Sequence, residues 1–347
     1  MFDLIDRIVS MDLGQRGMAP LYPSARERSV EPLCASSARS LISLKRGDTV
    51  VFLTGSIVRG WVSPALAETD GPIGVAALAR AINYGFNAIP VVLTDPSLVP
   101  AVTATIETAG MTVVDEDHAR AATRNERFTA VAVVSTCSTD PTQAPAQATA
   151  LVDRLRPAAV ISVERAGMTA DGTFRNSVGQ DTSAGRALLD HVVTAAARAH
   201  VPTIGIGDLG NEIGMGAIRS AVAEHIPNGA AVCAALGTDI VFPCGVSNWG
   251  CYAIQAAMAI LTGRLELAHT RQMEQRLLEA APRIGLLDGL HGKREPMADG
   301  LPLHVHLAIV DLLNATAERG IAFQRILGSD GPAYEAAKLA HFRKLML

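Results

Sequence analysis

The chain has no run of Lys or Arg: its basic residues are scattered, and the formal net charge at pH 7 is −4 over 347 residues. That removes the electrostatic footprint of a nucleic-acid binder. No uninterrupted apolar stretch reaches the ~18 residues a membrane-spanning helix needs, so no membrane association is expected. The first residues, MFDLIDRIVSMDLG, carry acids where a secretory signal would be basic. The five cysteines, Cys34, Cys137, Cys233, Cys244 and Cys251, are odd in number and never spaced C-x-x-C. Neither a disulfide framework nor a thiolate zinc site follows. Free buried thiols in a reducing, cytoplasmic setting are the expectation. A Gly-Lys-Ser phosphate loop is also lacking, so ATP is not expected.

Aromatic residues make up only 4%, yet apolar residues reach 49% and mean hydropathy is +0.25. Ala and Val supply most of that, as suits buried parallel strands, tightly packed helices and a homo-oligomer interface. Short apolar runs recur along the chain: DTVVFLTG, AIPVVLTD, a short MTVVD, TAVAVVST, AAVISVE, PTIGIG and TDIVFPCG. Between most of them lie helix-like segments such as GVAALARAINYGF, AQATALVDRLR and NWGCYAIQAAMAIL. This alternation predicts a doubly wound α/β fold, a mostly parallel sheet sandwiched between helices, with its active site at the carboxyl ends of the strands. No low-complexity linker divides it. A single domain over 1–347 is expected, with a helical segment at 1–45 and a helical part at 264–347 closed by one long helix to about 318.

The stretch TIGIGDLGNEIGMG, 203–216, contains G-x-G-x-x-G between a strand and a helix, the context of a dinucleotide fingerprint. Asp208 and Glu212 sit inside it, and pyrophosphate would meet like charge there. The other strand ends carry acids as well: Glu68 and Asp70, Asp95, and Glu164. Acids crowded at one sheet edge need a compensating cation, and oxygen donors without Cys or His suit a hard ion such as Mg²⁺ or Mn²⁺. A nicotinamide cofactor is therefore not expected. Thr69 or Asp70 also reads as an N-cap ahead of Pro72, and Glu164–Arg165 as an ion pair at the sheet edge.

The link 164–187 is long, and long polar loops are usually functional. Arg165 or Arg175 has the planar fork that grips a carboxylate, and Asn176 lies in the same loop. Ser247 and Asn248 open a helix at the same edge, either as caps or as substrate donors. Cys244 has no His tied to it and reads as simply buried. His304 and His306 read as packing or interface residues. Asp288-Gly289 and Asp299-Gly300 read as turns.

Taken together and in order, ETDGP, S-x-E-R-x-G, G-I-G-D-x-G-N-E-I-G-M-G and G-V-S-N-W-G resemble the D-glutamate cyclase family. The likeness runs from Asp12-x-x-x-Arg16-Gly17 to the DGL pair at 288–290 and 299–301. It implies a metal-dependent lyase that cyclises D-glutamate to 5-oxo-D-proline with loss of water, Mn²⁺ being favoured over Mg²⁺. On that reading Asp70, Glu164, Asp208 and Glu212 are catalytic and metal-binding. Thr54, Arg165, Asn176, Asn211, Ser247 and Asn248 contact a small acidic amino acid. Met168 departs from the family, which often has a basic residue there. A metal-dependent hydrolase and a non-catalytic binder of small acids are the alternatives.

Overall fold

The computed structural model describes residues 1–327. Its centre is a seven-stranded sheet: β1 Thr49–Thr54, β2 Ile89–Thr94, β3 Thr112–Val113, β4 Val131–Thr136, β5 Ala159–Val163, β6 Thr203–Gly207 and β7 Ile240–Pro243. The strands lie in the order β3-β4-β2-β1-β5-β6-β7, and every pairing in this sheet is parallel. The chain thus builds outward from β1 on one side, then returns past it to build the other. The reversal falls between β1 and β5, where Thr54 stands opposite Val163. Crevices for ligands form at such a switch.

Side chains of β1 alternate between two cores. Val50 and Phe52 join one cluster, and Val51 and Leu53 the other, which is why the run reads as continuously apolar. The first core is roofed by helices Pro72–Phe86 and Ser247–Thr262, with Phe2–Val9, Leu33–Arg39 and Leu303–Leu327 around them. The second lies under Ala144–Leu155 and Asp190–Arg198. Each fully buried aliphatic or Phe side chain contributes about 1.5–3 kcal/mol relative to exposure.

The helix Ser247–Thr262 is buried at every position from Ser247 to Ile260, as an element apolar on all sides must be. It crosses Pro72–Phe86 where Gly74 leaves room: a Cβ there would stand 2.8 Å from the Cα of Asn248. That close crossing fixes how two loops of the site meet.

All seven expected strands are present. Glu116–Arg124 is an additional helix, with Asp115 capping it by accepting from the His118 N–H at 2.9 Å. Its polar sequence has no apolar stripe to announce it. The final helix runs Leu303–Leu327, longer than expected, and positions 328–347 of the expected helical part lie outside the described residues. In the preceding loop, Leu286–Leu287 pairs in parallel with Ala67–Glu68, and Met297–Ala298 pairs with Leu301–Pro302. These ladders carry Asp288 and Asp299 to the sheet edge. Among the described residues, no helix is long and apolar enough to cross a membrane.

Candidate active site

Three carboxylates from three loops converge at the β1/β5 switch. Asp70, Glu164 and Asp208 are buried, and each offers an oxygen within 4.8 Å of the others. Glu164 leaves β5 with φ +48, a left-handed conformation costly for a non-glycine residue and common at functional sites. Its Oε2 accepts from Ser247 Oγ at 2.5 Å. Burial pushes the pKa of all three acids up; Asp299 adds to this at Asp70, while Asp208 and Glu212 add to it at Glu164. At Asp208, Arg16 opposes the rise. The partly enclosed Glu68 is raised too, by desolvation and then by Asp299.

Among the described residues, Arg16 is the cation in contact with this group. Its Nη2 lies 2.5 Å from Asp208 and 3.0 Å from Asp299, and it also donates to the Gly245 carbonyl at 2.8 Å. Burial opposes its charge, but Asp208, Asp299, Glu164 and Asp70 outweigh that and raise its pKa. Asp12 accepts the backbone N–H groups of Arg16 and Gly17 at 2.9 and 2.8 Å, which explains the D-x-x-x-R-G spacing. Asp288 accepts from Gly300 N–H at 2.7 Å and so ties down the turn that presents Asp299. Four acids facing one guanidinium leave a surplus of negative charge. An all-oxygen, carboxylate donor set of this kind fits a hard divalent cation.

The N-termini of the two crossing helices are capped reciprocally. Asp70 accepts from the N–H groups of Ser247 and Asn248, both at 2.8 Å. Asn248 Oδ1 accepts from Gly71 and Gly74, at 2.9 and 2.6 Å. The expected cap at Asp70 therefore exists, but it serves the helix of Ser247 rather than its own. Asn248 is spent the same way, so its side-chain oxygen is committed inside the fold instead of facing a substrate.

Glu212 resolves the fingerprint at 203–216. Its carboxylate accepts from Leu209 N–H at 3.0 Å and Gly210 N–H at 2.7 Å, filling the backbone donors that a phosphate would need. A Cβ on Gly205 would lie 2.4 Å from the Ile213 carbonyl oxygen, and one on Gly207 2.7 Å from Glu212. These glycines let the loop fold back on its own strand. Glu212 was expected as a metal ligand; it stands beside the triad as the residue that shapes the Asp208 loop.

Arg165, expected to hold a substrate carboxylate, is fully buried as an internal tie. It meets Asp95 at 2.6 Å and donates to the carbonyls of Gly55 and Ala187 at 2.8 and 2.7 Å. Thr54 Oγ1 donates to Val163 O at 3.0 Å across the switch. Asn176 is closed on Gln180, and Asn211 Nδ2 donates to Arg175 O at 3.2 Å. Arg175 pairs with Asp171. Met168 donates its N–H to Asp190 at 2.9 Å. His306 accepts from Trp249 Nε1 at 3.0 Å, a packing role, and Cys244 is buried with its thiol pKa pushed up by desolvation.

Arg16, Glu68 and Asp299 were not among the expected site residues. Their only sequence signals were the D-x-x-x-R-G and DGL motifs and the acid after β1. The sequence from residue 5 to 314 matches the D-glutamate cyclase-like, C-terminal family. Over 259 residues the chain is 27% identical to a protein of Homo sapiens named D-glutamate cyclase, mitochondrial. The matched stretch is 74% of this chain and 38% of that protein, so the chain spans about two fifths of its relative's length. With the motifs, the α/β/α fold and the acidic switch point in agreement, the chain belongs to the D-glutamate cyclase-like, C-terminal family.

Proposed function

We propose that this protein is a metal-dependent lyase that cyclises D-glutamate to 5-oxo-D-proline. The observation that carries the reading is the buried triad Asp70, Glu164 and Asp208 in a member of this family. In the reaction the substrate amine attacks its side-chain carboxyl, one C–N bond forms, one C–O bond breaks, and water leaves. The triad would hold a divalent metal, Mn²⁺ ahead of Mg²⁺. Such an ion supplies Lewis-acid polarisation of a carboxyl group.

The chain's own groups do the rest. Glu164, positioned by the Ser247 hydroxyl, is suited to exchange a proton. It would pass two protons in turn from the substrate nitrogen, one from the ammonium and one after the C–N bond has formed, to the oxygen that departs as water. Arg16 keeps Asp208 oriented and limits the repulsion within the cluster. The loops that close over the switch hold the chain of glutamate bent, converting a rare ring-closing conformer into the bound one. Thr54, Asn176, Asn211 and Ser247, each bonded within the fold, brace these loops and strand ends. A reducing, cytoplasmic setting is supported by five free, buried cysteines, and a homo-oligomer by the Ala-rich composition.

The test is to strip the protein with chelator, restore Mn²⁺ or Mg²⁺, and incubate it with D- or L-glutamate. Chiral chromatography then quantifies 5-oxoproline. Metal-dependent product from the D isomer is the expected result. No product from either isomer by the metal-loaded protein would overturn the reading. Substrate-induced thermal stabilisation without product would instead support the small-acid binder.

A further inference from the structure

Arg186 is 3% exposed, yet no carboxylate among the described residues stands within salt-bridge distance of it. Its Nε donates to Thr182 O at 2.9 Å and its Nη2 to Ser56 Oγ at 3.2 Å, while Nη1 has no partner. Beneath it lies the Phe174 ring, 5.8 Å from the guanidinium carbon. Burial disfavours its charge most, and a second arginine, Arg165, adds to that. Asp95, Glu68 and Asp190 favour the charge from beyond salt-bridge distance without making up the difference, and its pKa falls to about 10. Leaving a charged group buried, with one nitrogen unpaired and a like charge nearby, is costly unless an anion completes the site.

The place of this arginine is specific. Ser56, which accepts from its Nη2, also accepts the Glu68 N–H on its carbonyl at 3.0 Å. Glu68 is two residues before Asp70 of the triad. Arg186 thus closes the long loop 164–187 over the same switch, adjoining the acid cluster through Ser56 and Glu68.

We propose that Arg186, with Ser56, is the anion seat of the site and takes the α-carboxylate of the substrate. The inference rests on the cyclase reading, in which the side-chain carboxyl reacts at the triad and the α-carboxylate only anchors. The unpartnered Nη1 of Arg186 supplies a charge-assisted hydrogen bond for it. Arg165, the arginine expected from sequence to do this, is already neutralised by Asp95.

The test uses the metal-loaded full chain and two probes, glutarate for binding and D-glutamate for turnover. Calorimetry on Arg186→Met and Arg186→Lys is expected to show glutarate affinity falling by at least tenfold for Met and several-fold for Lys. In turnover, KM for D-glutamate should rise by a similar factor with kcat nearly unchanged, because an anchoring contact is equal in ground and transition states. If Arg186→Met does not fold, Arg186→Lys decides. Folded variants that bind glutarate as well as wild type overturn the seat. Arg186-dependent glutarate binding in a protein that makes no 5-oxoproline upholds the seat and overturns the cyclase reading.

Discussion

At the residue scale, the site is defined by acids whose charge the fold resists. Glu164 is the most constrained of them, held in a left-handed conformation and clamped by Ser247. Replacing it by Gln keeps the shape and removes one of the repelling charges. Glu164→Gln should therefore melt, without metal, at the wild-type temperature or above it. Its affinity for Mn²⁺ by calorimetry should fall by roughly tenfold or more, since carboxylate count sets cation affinity. A variant that binds metal normally would remove Glu164 from the ligand set. The identities of these acids were legible because Glu164 and Asp208 directly follow apolar runs and Asp70 lies in the ETDGP stretch. Which of them face the switch was not: Asp95, at an equally plausible strand end, is committed to Arg165, and Glu212 to backbone N–H groups.

At the element scale, the position of the site depends on two helix N-termini that cap each other. Each side-chain cap is worth about 1 kcal/mol, and both depend on the close crossing at Gly74. A methyl group there would meet the Asn248 Cα at 2.8 Å and its Oδ1 at 2.9 Å, both part of the capping pair. Gly74→Ala should destabilise the protein by about 1–3 kcal/mol in chemical denaturation, the usual cost of overpacking. It should also weaken metal binding, because Asp70 is displaced with the helices. Wild-type stability would mean that the two helices can separate freely. Sequence showed both helices and both capping residues. It assigned each cap to its own helix, since pairing between segments 177 residues apart leaves no local trace.

At the scale of the whole molecule, pH and metal act on the same cluster. Asp70, Glu164 and Asp208 have folded pKa values above their ordinary range, mainly because of burial. Groups raised on folding contribute stability that is fully present below their unfolded pKa and is lost as pH rises through the folded one. The metal-free protein should therefore lose stability from these groups as pH climbs above about 4. Metal must displace those protons, so its stabilising effect grows with pH. Melting curves with and without Mn²⁺ at several pH values between 5 and 8 should diverge as pH rises. A metal-induced shift that shrinks with pH would argue against the triad as the binding site.

The sequence by itself determined the architecture. Seven apolar runs of strand length, separated mostly by helix-length segments, can bury both faces only as a doubly wound parallel sheet. It also determined the chemistry of the edge, since acids at strand ends must meet there whatever the details of the loops. Only the tertiary structure decided the division of labour. It joined Arg16 and Asp299, 283 residues apart, to the acid cluster. It paired Arg165 with Asp95 and, among the described residues, left Arg186 with no carboxylate in salt-bridge contact. Charge compensation in a buried site depends on which side chains come within about 4 Å, where Coulomb energies in a low-dielectric interior are large. Periodicity along the chain sets the faces of strands and helices, but not which charges come that close across the fold.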